Sequence, residues 1–199
     1  MNEPTSMDAS GLLRVVARGE PDAIDRWFRA EHPQVYRLCA GFLANAAEAE
    51  DVAQDAMLKL LDTLPRWDGR REWRAWRNTI VLNLCRDRLR RIASRSDAES
   101  LAAPLCQPSP LPSPEQAAQG GEVRELLMAA LASLSPRERE AFVLHDLDGL
   151  DAAETAAALG IAPSSVRSLL ALARRRLRTL LGPRLKLTAP AAGSPGGAR

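Results

Sequence analysis

The side chains with the most chemistry to offer lie between Asp151 and Arg178, in DAAETAAALGIAPSSVRSLLALARRRLR. The stretch reads as two helices separated by one tight turn. Asp151 and Glu154 form a reciprocal start signal for the first helix. Gly160 supplies the left-handed residue that ends it, and Pro163 suits the first turn of the next. In the second helix Val166, Leu170, Ala173 and Leu177 recur at helical spacing and form an apolar stripe. Opposite them stand Ser164, Ser168 and Arg175, flanked by Arg167, Arg174 and Arg178. Hydroxyls and guanidinium groups on an exposed helix face can hydrogen-bond base edges and phosphates, which is what a major-groove reader needs. The same pattern also describes a helical hairpin with a solvated charged face.

Other reactive residue types do not assemble into a catalytic set. The chain has 2 histidines, His32 and His145, with no nucleophile beside either. They are expected as surface or capping residues. The 3 cysteines, Cys39, Cys85 and Cys106, are odd in number and widely spaced, which suggests neither a disulfide framework nor a zinc site. Cys39 and Cys85 sit in apolar helical contexts and read as core. Acids gather from Glu48 to Asp55, but without a Glu-x-x-His pair they do not make a dimetal carboxylate site. No cofactor, metal or small-molecule substrate is expected, and the chain does not read as an enzyme.

Positioning these faces falls to helices. The 199 residues allow one medium domain or two small ones, and a hydrophobic fraction of 46% supports real cores. The net charge of +2 argues for nothing by itself, but its distribution does. Cations cluster from Arg86 to Arg95 and from Arg167 to Lys186, while acids cluster at 48–55 and 146–154. Strand signals are nearly absent. Helices are expected over 12–18, 21–30, 33–43, 46–64 and 72–92, with Asn45 and Glu48 as another paired start signal. A Pro-, Ser-, Ala- and Gln-rich segment follows and reads as a flexible linker. Further helices cover 123–134 and a segment opened by Ser135-Pro136-Arg137-Glu138 and closed by Asp148-Gly149. Gly182-Pro183 is expected to stop the last helix, and the tail reads as disordered. No apolar run approaches the ~20 residues of a membrane span, and the polar N-terminus does not resemble a signal peptide. Those features place the chain in a reducing cytoplasm, without membrane insertion.

Three stretches together resemble a bacterial family, the extracytoplasmic-function (ECF) sigma factors, the smallest sigma-70-type specificity subunits of RNA polymerase. AEAEDVAQDAMLKLL looks like the family's acidic polymerase-binding helix. WRAWRNTIVLNLCRDRLRR looks like its promoter-opening helix. ALASLSPREREAFVLHDLDGLDAAETAAALGIAPSSVRSLLALARRRLRTLL looks like its C-terminal helix-turn-helix.

The resemblance implies an all-α protein of two small helical domains. Residues 11–95 would bind the polymerase clamp and read and melt the proximal promoter element. Residues 96–121 would be the flexible linker, 122–181 the helix-turn-helix domain for the distal element, and 182–199 a disordered tail. Polymerase contact carries onto Asp51, Gln54 and Asp55, with Arg37 and Leu58 as neighbours. Proximal-element contact carries onto Trp67, Arg70, Arg71, Arg74, Asn78, Asn83 and Arg86. Trp67 is the candidate to stack on an unpaired base, or it packs beside the domain. Distal-element contact carries onto Ser164, Ser165, Arg167 and Ser168 near bases, and onto Arg174, Arg175 and Arg178 on phosphates. The partners implied are core RNA polymerase, promoter DNA and an anti-sigma factor. The chain departs from the family pattern at Asn78, Thr79 and Leu82, and again at Ala162, Leu169 and Leu172. Leu172 lies near the outward face, where it can touch a thymine methyl or bury in a partner.

Overall fold

The computed structural model describes residues 9–69, 72–100 and 121–188, and every regular element among them is helical. In chain order these are α1 (Ala9–Ala17), α2 (Pro21–Leu43), α3 (Ala46–Thr63), a 3-10 turn (Leu64–Arg66), α4 (Trp73–Ser100), α5 (Gly121–Ala132), α6 (Pro136–Phe142), a π-helical turn (Val143–Leu147), α7 (Ala152–Leu159) and α8 (Pro163–Thr188). The linker expected over 96–121 is corrected at its start, because α4 continues to Ser100. Residues 101–120, Cys106 among them, lie outside those described, as do residues 189–199 of the expected tail.

Local signals set most boundaries. Asn45 accepts the backbone N–H groups of Ala47 and Glu48 at 3.0 and 3.2 Å and starts α3. Its expected partner in a reciprocal cap does not close the box, because Arg88 on α4 draws the Glu48 carboxylate away. The two other boxes, Ser135 with Glu138 and Asp151 with Glu154, are both complete. Gly160 ends α7 at φ 67°, in the left-handed region that a Cβ disfavours.

Three further expectations need correcting. The sequence reading places separate helices over 21–30 and 33–43, and a proline inside a helix lacks an N–H and clashes with the preceding turn. Instead α2 runs unbroken through Pro33, which is exposed, while Trp27 and Val35 on either side are fully buried. Packing on both flanks offsets the lost hydrogen bond. Secondly, α8 passes through Gly182 and Pro183 to Thr188, so the expected stop at Gly182-Pro183 does not occur. Thirdly, α6 does not run regularly to Asp148. It widens into the π turn at Val143, where Asp148 donates its N–H to the Val143 carbonyl at 2.9 Å. Such a turn re-aims the residues that follow it.

Helices α1 to α4 enclose a core of Trp27, Val35, Leu38, Met57, Leu60, Val81 and Leu82. Trp73 stands at its edge, with ring centroids 6.4 Å from Trp27, 5.7 Å from Trp67 and 5.2 Å from Trp76. Helices α5 to α8 form the second unit, in which α7 and α8 meet at 99°. That angle is characteristic of a helix-turn-helix. The predicted stripe on α8 is buried throughout, but it divides its contacts. Val166 and Leu170 join the large cluster that continues into α1 to α4, whereas Ala173 and Leu177 pack with Ala130 and Leu131 of α5 and with Leu134 just beyond it. The two units therefore share one apolar core through Ala141, Val143, Leu144, Leu150, Ala156 and Leu159.

Candidate nucleic-acid interface

The residues expected to make contacts lie on three surfaces. On α3, Val52, Ala53, Ala56 and Leu60 are buried and turn the opposite face outward. Asp51, Gln54, Asp55 and Leu58 lie there at spacings of three and four, so they share one face. All are exposed, and Leu58 retains 67% of its surface. Asp51 approaches Arg88 at 3.4 Å while remaining largely in solvent. Arg37 is exposed on α2 and bonds the Gln34 side chain.

On α8, Ser164, Ser165, Arg167, Ser168, Arg174, Arg175 and Arg178 are all exposed, in one sector opposite the buried stripe. The Ser168 hydroxyl donates to the Ser164 carbonyl at 3.2 Å. Arg174 is held by a forked pair to Asp146 at 2.8 and 2.6 Å, which raises its pKa above the ordinary guanidinium value. Leu172 is 38% exposed beside this sector. Leu169, by contrast, packs against the shared core. Its departure from a polar residue thus has a packing reason.

The third surface, on α4, differs from expectation. Asn83 and Arg74 are exposed as a reader requires. Asn78 is fully buried; its amide donates to Asp148 Oδ2 at 2.6 Å, and its oxygen accepts from Arg77 Nε at 3.0 Å. Arg86 is half-buried in a forked pair with Glu140, both contacts at 2.7 Å, and that carboxylate raises its pKa. Trp67 is half-buried, edge-on against Trp73. Arg70 and Arg71 lie outside the described residues. Leu82 and Thr79, two departures from the family pattern, are accounted for locally. Leu82 is core, and the Thr79 hydroxyl bonds the Ala75 carbonyl at 2.9 Å.

Sequence reasoning passed over Arg77, the most deeply set cation of the group. Only 5% exposed, it contacts Glu31 at 2.9 Å and Asp148 at 3.2 Å. Its partners lie 46 and 71 residues away, so no local spacing announces them. Arg139 was missed for the same reason. It donates to the carbonyl of Phe42 at the end of α2, to that of Ala132 at the end of α5 and to that of Leu134 just beyond it. A cation there satisfies helix-end carbonyls that lack intrahelical partners, and burial lowers its pKa. Both expected core cysteines are buried, and the hydrogen bond with Cys39 together with burial pushes the Cys85 thiol up. His32 stacks on Phe28 at 5.3 Å, and His145 sits 3.2 Å from Asp146. Among the described residues no cluster of His, Cys, Asp or Glu has the arrangement of a metal site. No single helix among them is long and apolar enough to cross a membrane.

The fold and its outward α8 face define a two-domain helical protein with a helix-turn-helix DNA reader. The comparisons place it more closely. Residues 27–95 match the sigma-70 region 2 family and residues 124–177 the sigma-70 region 4 family. The ECF RNA polymerase sigma factor SigM of Mycobacterium tuberculosis is 34% identical over 171 residues, covering 86% of this chain and 83% of that protein. Among solved structures, the sigma factor RpoE of Bartonella quintana, in complex with the anti-sigma factor NepR, superposes with a TM-score of 0.64. It is 23% identical and covers 79% of this chain and 96% of its own, so it supports the fold. CnrH, in complex with the cytosolic domain of CnrY, gives 0.59 at 25% identity, over 86% of this chain and 96% of that one. The chain belongs to the ECF RNA polymerase sigma factors, which direct polymerase to specific promoters.

Proposed function

We propose that residues 11–95 dock on the polymerase clamp through the α3 face and open the proximal promoter element through α4 and the loop before it. Residues 122–181 then read the distal element, with Ser164, Ser165, Arg167 and Ser168 at bases and Arg174, Arg175 and Arg178 on phosphates. The two elements lie roughly two helical turns apart, about 70 Å, a distance close to the full extension of the residues 101–120 between α4 and α5 at ~3.5 Å each. The observation that carries this division of labour is the pair of open faces on one chain, acidic on α3 and hydroxyl- and guanidinium-bearing on α8. Polymerase supplies the chemistry; this chain contributes geometry, works in the cytoplasm and is not itself an enzyme. It serves a stress- or signal-responsive set of promoters.

An anti-sigma factor is a further proposed partner. The complexes of RpoE with NepR and of CnrH with CnrY support it. So does an apolar groove of about 440 Å³ between α2, α5 and the π turn, lined by Tyr36, Leu127, Met128 and Leu147.

Reconstitution with core polymerase tests the reading. Discrete new start sites on the host's upstream DNA are the expected result. Duplex binding without any association with polymerase would instead identify a stand-alone helix-turn-helix regulator.

A further inference from the structure

The fold uses the leucines of α8 unequally. Leu170 and Leu177 are buried and Leu169 packs against the shared core, whereas Leu172 stays 38% exposed. Leu172 lies four residues after Ser168 and seven after Ser165, so the three share one face of the helix. A rise of ~1.5 Å per residue spreads them over about 10 Å, roughly three base-pair steps at ~3.4 Å each. Cations rim this face. Arg175 stands exposed one turn beyond Leu172, and Arg167, Arg174 and Arg178 follow the opposite flank. Arg176, also one turn on, is held by Glu138 of α6 at 3.1 Å. An apolar spot inside a cationic rim suits a polyanion that displays an apolar group of its own.

Duplex DNA has one such group. In the major groove the base pairs present donors, acceptors and, at thymine alone, a C5-methyl. Leucine offers nothing to a donor or acceptor. Set against the polar edge of another base, it would strip water without replacing the hydrogen bonds. Against the methyl it buries apolar surface on both partners.

We propose that Leu172 is a specificity-determining residue that reads a thymine methyl in the distal element, about two base-pair steps from the pair facing Ser168. The proposal rests on reading α8 as the distal-element contact. Within that reading the serines supply hydrogen bonds, the arginines hold phosphates, and Leu172 adds a preference that neither can give. The contact is worth about one buried methyl, or roughly fourfold in affinity.

The full chain assembled with core polymerase selects duplexes from a random pool. The selected duplex is then resynthesised with each thymidine in turn replaced by deoxyuridine, which removes the methyl and keeps the base pair. Affinities of the parent and Leu172→Ala holoenzymes for each duplex close a double-mutant cycle. Circular dichroism checks that the truncation of this exposed side chain leaves the fold intact.

One distal-element thymidine is expected to respond. Its replacement weakens the parent about fourfold, and Leu172→Ala weakens binding to the thymidine duplex by a similar factor. The two changes combined weaken binding no further than either alone. Additive losses at every thymidine would overturn the methyl contact. So would a Leu172→Ala holoenzyme that binds as the parent does, the result expected if Leu172 instead buries in a protein partner. Arg167→Ala and Ser168→Ala test the underlying assignment separately. If both leave the selected distal sequence unchanged, α8 is not the reader and the proposed function fails with it. If they change that sequence while the cycle is additive, only the role of Leu172 falls.

Discussion

Helices α4 and α8 carry similar lines of guanidinium groups, and both were expected to face DNA, yet the fold leaves the α8 line open and covers the part of α4 from Arg77 to Arg86 in which Arg77 and Asn78 are buried. Both also have an acidic side chain set against an arginine in forked geometry: Glu140 on Arg86 and Asp146 on Arg174. The Arg174 pair sits at the surface, where solvent competes and an ion pair contributes little. The α4 pairs lie at a boundary between domains, with Arg77 nearly dry. What separates a waiting DNA contact from a committed structural one is therefore the desolvation imposed by apolar neighbours. The kind of residue does not decide it.

Removing Asp148 tests that difference most severely. Asp148→Ala leaves Arg77 buried with Glu31 as its remaining carboxylate, and the cost is expected at about 2–3 kcal/mol, below the usual range for a fully orphaned buried charge. Denaturant unfolding followed by tryptophan fluorescence measures it; a loss under ~0.5 kcal/mol would make this pair equivalent to a surface one. Arg86→Ala and Arg167→Ala form a matched test of the two helices. Each is expected to lower promoter-specific initiation by roughly fivefold or more, as expected when a contact worth about 1–3 kcal/mol is lost. Only Arg86→Ala should also lower the unfolding free energy, since Arg167 stands in solvent.

Thr155 on α7 offers a smaller test of the buried boundary. It is fully buried, and its hydroxyl has no partner among the described residues. Thr155→Val should stabilise the folded chain by up to about 1 kcal/mol, because an unmatched polar group is removed without changing shape. The smallest effect is expected at the open helix. Asp146→Asn frees Arg174 for phosphate, so affinity for duplex distal-element DNA should rise a few-fold and the salt dependence should steepen by about one unit of slope. An unchanged slope would show that Arg174 does not reach the backbone.

Much of the architecture could be read directly from the chain. The capping boxes at Ser135 and Asp151, the glycine at 160 and the stripe Val166, Leu170, Ala173 and Leu177 are local signals, and the structure keeps every one. The α3 pattern was equally legible, because burial of Val52, Ala56 and Leu60 fixes which residues face out. The failures share a cause. Pro33 was overruled by packing on both flanks, the Glu48 cap by Arg88, and the exposure of Asn78 by Asp148, a carboxylate 70 residues away.

Residue type and period alone determined a helical chain with an outward, cationic helix after a tight turn, because helix caps and apolar stripes act over one or two turns. The sigma-factor reading came from the resemblance of three ordered stretches. Whether a given arginine waits for DNA or is already spoken for depends on which carboxylate the fold brings opposite and how much water is shut out. Those are properties of long-range contacts, and only the tertiary structure decided them: Arg77 and Asn78 are dry and paired with Asp148, whereas Arg175 and Arg178 remain in solvent.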